Sequence, residues 1–144
     1  MSATEPLCLL LWINPNKLPK SEYFLFEAEL FIRICEELKE IFRNRYKDYF
    51  SLMKFNAEKE NVMLEDNFAR LIIKDILSTE EYNLSGIAHY TNTHEDIVQE
   101  VVDGRNTSPS AIFLRRIIYL HQSVRRELYV AIIKKITTQY LAVA

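Results

Sequence analysis

Three histidines, two cysteines and two glycines bound the chemistry open to this 144-residue chain. His89 and His94 straddle a polar break, and neither a cysteine nor a carboxylate pattern completes a metal-ligand set around them. With only Gly86 and Gly104 present there is no glycine-rich loop to cradle a phosphate, and no serine or cysteine sits at a spacing that names a nucleophile and its base. His121 lies beside an apolar helix face and reads as a partly buried structural histidine rather than a general base. The expectation is therefore a chain that is not an enzyme and holds neither cofactor nor metal. Cys8 and Cys35 follow no CxxC pattern, so they read as packed thiols, which fits a reducing, cytoplasmic setting.

What remains is charge and its placement. The net charge is only −2, with no overall basic excess to announce a nucleic acid. Locally the picture divides. Between residues 83 and 108 the acids Glu95, Asp96, Glu100 and Asp103 face only Arg105, a balance of −3. Between 109 and 135 the cations Arg115, Arg116, Arg125, Arg126, Lys134 and Lys135 face only Glu127, a balance of +5. Paired cations of this kind either grip phosphates or form a solvated face that offsets nearby acids.

The elements that must position these charges are helical. Hydrophobic residues make up 49% of the chain and recur at helical spacing, so the fold class is all-α. "LCLLLWI", residues 7–13, is too short to span a bilayer, and the prolines of "NPNKLP" end it, so it reads as an apolar arm. From Ser21 the residues Phe24, Ala28, Phe31, Cys35, Leu38, Phe42 and Tyr49 form one side of a long helix reaching about Leu52, with Leu30, Ile34 and Ile41 as a second stripe. The arm and this helix, 1–56, are expected to make a homodimer, with Phe31, Cys35, Leu38 and Phe42 at its interface.

The polar "NAEKEN", 56–61, reads as a joint, after which a helix resumes near Leu64 with Phe68, Leu71, Ile72, Ile76 and Leu77 on one face. Pro109 suits the first turn of a helix that buries Ile112, Phe113, Ile117 and Leu120. A last helix, within 123–144, buries Leu128, Ile132 and Ile136.

Two short helices stand in the middle, in "GIAHYTNTHEDIVQEVVDG". Leu84, Ile87 and Ala88 face inward on the first, with Asn83 or Ser85 near its start; Asn92 tolerates the left-handed backbone of a tight turn. The second begins after Thr93 or His94, places Glu95 and Asp96 against its positive end, and offers Ile97, Val98, Val101 and Val102 for packing before Gly104 stops it.

These residues resemble the Cro/CI-type helix-turn-helix family of phage and bacterial repressors, the lambda-repressor-like fold. Ile87 and Ala88 match the first helix of the motif, Asn92 the turn where that family usually has Gly, Val98 and Val101 the second helix, and Gly104 its close; "GRNTSPSAIFLRRIIYL" continues the match. The resemblance covers about 64–122, within a domain taken as 62–122. It implies a transcriptional regulator that binds double-stranded DNA as a homodimer, its second helix in the major groove. Base contacts would come from His94, Glu95, Asp96 and Gln99, and backbone contacts from Ser85, Arg105 and Asn106, with Arg115, Arg116, Arg125 and Arg126 supplying further cations. The alternative is a protein-interaction module on the same scaffold, engaging a basic partner through its acidic helix. No membrane partner is expected.

Overall fold

A computed structural model describes the chain over residues 20–143, with side chains through 139; the apolar arm and Cys8 lie outside these residues. Among the described residues there are seven helices and no strand, as an all-α chain requires. They are α1 (Lys20–Arg45), α2 (Lys47–Met53), α3 (Ala57–Ser78), α4 (Leu84–Thr91), α5 (Glu95–Val102), α6 (Ala111–Val124) and α7 (Arg126–Val143). None is long and apolar enough to cross a membrane. The described residues divide into two compact units, one formed by residues 20–40 with 127–143, the other by Ile41–Arg126.

In the first unit α1 buries Leu30, Ile34, Cys35 and Leu38, and α7 buries Tyr129, Ile132, Ile133 and Ile136. Lys135 Nζ donates to Glu37 Oε2 at 2.8 Å, and that carboxylate holds the ammonium above its ordinary value. The inward face of α1 is thus the stripe of Leu30 and Ile34. Phe24 and Ala28, expected inside by spacing, are exposed, Phe24 by 57%. Cys35, Leu38 and Phe42 are buried within the chain itself and Phe31 is half-buried, so these four do not offer a partner the open apolar surface expected of them.

In the second unit α1 ends at Arg45 rather than running to Leu52, because Tyr46 leaves helical geometry at φ −102° and ψ 17°. That break turns Phe50 inward in place of Tyr49; Phe50 is buried and stacks on Phe55 with ring centroids 6.1 Å apart. The polar "NAEKEN" is the start of α3 and not a joint. Asn56 caps it by accepting from Lys59 N at 2.8 Å, and Glu58 and Glu60 stand in its first turn, where the helix dipole favours acids.

α3 is the spine of this unit, with Leu64, Phe68, Leu71, Ile72, Ile73 and Ile76 buried. It packs against α5 and α6, while α4 packs against α5 and α6. Ile87, Val98, Val101, Ile117 and Leu120 complete the core, each fully enclosed aliphatic contributing about 1.5–3 kcal/mol. Ile112 is exposed and Ile118 buried, because α6 begins at Ala111 after Ser110 accepts from Phe113 N. Pro109 therefore precedes the cap instead of occupying the first turn.

Candidate nucleic-acid interface

α4 and α5 are eight residues each, joined by a turn held by backbone and side-chain hydrogen bonds. Asn83 Oδ1 accepts from Gly86 N at 2.7 Å and starts α4. A side chain on Gly86 would stand 3.2 Å from the Tyr82 ring and 3.3 Å from that capping oxygen, so glycine leaves room for both. Asn92 ends α4 at φ 50° and ψ 50°, with Asn92 N donating to His89 O and Thr93 N to Ala88 O, the double bond of a left-handed helix stop. Thr91, fully buried, returns its hydroxyl to Ile87 O at 2.8 Å.

Arg116 on α6 braces this turn, its Nη1 donating to Thr91 O at 2.8 Å. α6 is in turn fixed to α3 by a buried polar knot. His121 Nε2 lies 2.6 Å from Asp75 Oδ2, Arg125 Nε donates to the same oxygen at 3.1 Å, and Arg125 Nη2 donates to Oδ1 at 3.2 Å. Arg45 Nη1 reaches Oδ1 at 3.5 Å. Burial pushes the Asp75 carboxyl up, but the hydrogen bonds and charges of its partners outweigh that and hold it below its ordinary value. Burial dominates at His121 and drives its pKa down despite Asp75, with Arg125 and Arg45 adding repulsion. The ring is accordingly neutral, donates Nε2–H to the carboxylate, and leaves the positive charge to the arginines.

The arrangement leaves the first turn of α5 in solvent. His94, at the N-cap with no capping bond of its own, and Glu95 and Asp96 are all exposed. Val98 and Val101 face the core. No family model, curated protein or solved structure matches the chain. The candidate surface therefore stands on its own geometry.

The remaining site residues fall in different places. Gln99 is half-buried and donates to Asp103 Oδ1 at 2.8 Å; Arg105 Nη2 donates to Asp103 Oδ2 at 3.1 Å. Ser85 is exposed, and Asn106 Oδ1 accepts from Ser108 N. Arg115 and Arg126 are exposed; Arg116 is exposed but anchored by one nitrogen to the turn, and Arg125 is committed to Asp75. Asp75 was not among the expected residues, although its position offers a signal: it stands three residues after Ile72 and seven after Phe68, a lone acid on the buried face of α3.

Proposed function

We propose that residues 62–122 form a lambda-repressor-like DNA-binding module and that the protein is a transcriptional regulator binding double-stranded DNA as a homodimer, with α5 as the reading helix. One observation carries this: α4 and α5 are held by the Asn92 turn and the Arg116 brace so that α5 presents its first turn outward while its other side is buried. His94, Glu95 and Asp96 are placed to meet base edges, the two acids as acceptors for the amino group of cytosine. Arg105, Arg115 and Arg126 supply phosphate contacts, joined by the outer nitrogens of Arg116, while Arg125 builds the fold. The test is selection from a random duplex library followed by binding at increasing salt. About four phosphate contacts per protomer predict a log–log salt slope of about −3.6 per protomer; a chain that selects no duplex even at low salt would rule the module out as a DNA reader.

A second reading is favoured by the exposure of Glu95 and Asp96 beside Ile97, which is 39% exposed. On that reading the acidic face of α5 docks on a basic protein surface. Reversing Glu95 and Asp96 to lysine separates the two: DNA affinity rises if phosphates are nearby, whereas a protein partner is lost.

A further inference from the structure

We infer that α1 carries a self-complementary face on which a second copy of this chain docks antiparallel, with the two-fold axis passing beside Ala28. The face is one row of residues four apart: Lys20, Phe24, Ala28, Ile32 and Glu36. All five are exposed, Phe24 by 57% and Ile32 by 56%. Residues at this spacing form a continuous ridge on a helix. The ridge lies away from the side of α1 that buries Leu30, Ile34 and Leu38. Lys20 Nζ stands 5.8 Å from the centre of the Phe24 ring, so the cation extends along the ridge.

The order of residue types commits the face to an occupant. Read outward from Ala28, the row gives a large apolar residue on each side and then a charge, positive on one side and negative on the other. A two-fold axis at Ala28 sets Phe24 against Ile32 of the second copy and Lys20 against Glu36 of the second copy, each pair occurring twice. Ala28 meets its own equivalent, where a small side chain lets two helices approach closely. Leu25, 71% exposed, borders the row and adds to its apolar area. A parallel arrangement would instead oppose Lys20 to Lys20 and Glu36 to Glu36. An isologous interface must be self-complementary in this manner. The inference gives the regulator reading the symmetry it needs but does not rest on it.

Three measurements on the full chain without DNA test it. Sedimentation equilibrium is expected to show a dimer, and Phe24→Glu or Ile32→Glu to raise its dissociation constant more than tenfold while circular dichroism stays that of a folded helical protein. Lys20→Glu and Glu36→Lys are each expected to weaken the dimer severalfold, and the double exchange to restore it. In a Cys8→Ser, Cys35→Ala background, Ala28→Cys is expected to form a disulfide dimer on mild oxidation. Phe24→Cys alone should not, since antiparallel copies hold the two positions about 12 Å apart along the axis at 1.5 Å per residue, but it should cross-link when mixed with Ile32→Cys. A monomer at all concentrations overturns the inference. So does a dimer indifferent to Ile32→Glu, or one that links Phe24→Cys to itself. A monomer in which Ile32→Glu shifts the fluorescence of Trp12 also overturns it, by giving the face to the chain's own Leu7–Ile13 stretch. A dimer that selects no duplex leaves it standing and removes the regulator reading instead.

Discussion

Asp75 shows how one residue sets the requirements for several others. A carboxylate on the buried face of α3 is tolerated only if its oxygens are filled by donors, and here His121, Arg125 and Arg45 fill them. Asp75→Asn removes the charge that aligns the two arginines and leaves His121 a weaker acceptor. We expect a loss of about 3 kcal/mol in unfolding free energy, measured by urea denaturation. His121 adds a pH dependence whose sign follows from its environment. Its folded pKa lies below the ordinary 6.5, so the unfolded chain binds the proton first and stability falls as pH drops below 6.5 toward the folded value. Asp75, also lowered, adds a second loss as pH falls below 3.8. Unfolding measured from pH 8 to 3 should therefore show a plateau at the alkaline end and two descending stages, and His121→Gln should flatten the upper one. Stability that rises on acidification between 6.5 and 5 would contradict a neutral, buried His121.

At the scale of the element, the helix ends explain most of what could be read from residues alone and most of what could not. α4 and α5 were legible because three signals coincide there: an asparagine cap, an asparagine able to turn left-handed, and apolar spacing on both sides. The end of α1 was not legible, since Phe42, Tyr49 and Phe50 permit either a straight helix or a break, and tertiary packing of Phe50 decides it. Nor could spacing assign α1's faces where Phe24 and Ala28 follow the same period as Leu30 and Ile34. The role of Asp75 is not legible from spacing, because its partners lie 46 and 50 residues away. Among the described residues four take positive φ near helix ends, and of these only Gly104, at 78°, is the type that does so without cost; Lys54, Glu80 and Asn92 adopt 56°, 63° and 50°. Lys54→Gly and Glu80→Gly are each expected to stabilise by about 0.5–1 kcal/mol, as strain at Cβ is relieved. Asn92→Val is expected to cost about 2 kcal/mol and to loosen the α4–α5 turn, seen as faster amide exchange at Thr93.

For the molecule as a whole, the proposed regulator reading has to explain how a chain of net charge −2 would hold a polyanion. Phosphate contacts dominate non-specific affinity, and the exposed arginines near α5 are few while Glu95 and Asp96 lie at its outward end. On that proposal the acids would subtract from binding at every sequence and add to it only where a cytosine amino group meets them. Glu95→Gln with Asp96→Asn should raise affinity for unrelated duplexes by about tenfold at low salt, while affinity for the selected site changes less, so the ratio between the two falls. The same pair should leave the salt slope nearly unchanged, because no cation is added or removed. Arg115→Ala provides the opposite control, lowering affinity at all sequences alike and reducing the slope by about one. If instead the double amide variant weakened binding everywhere, the acids would be holding α5 in place rather than reading bases, and the outward turn of α5 would have to be reassigned from recognition to support.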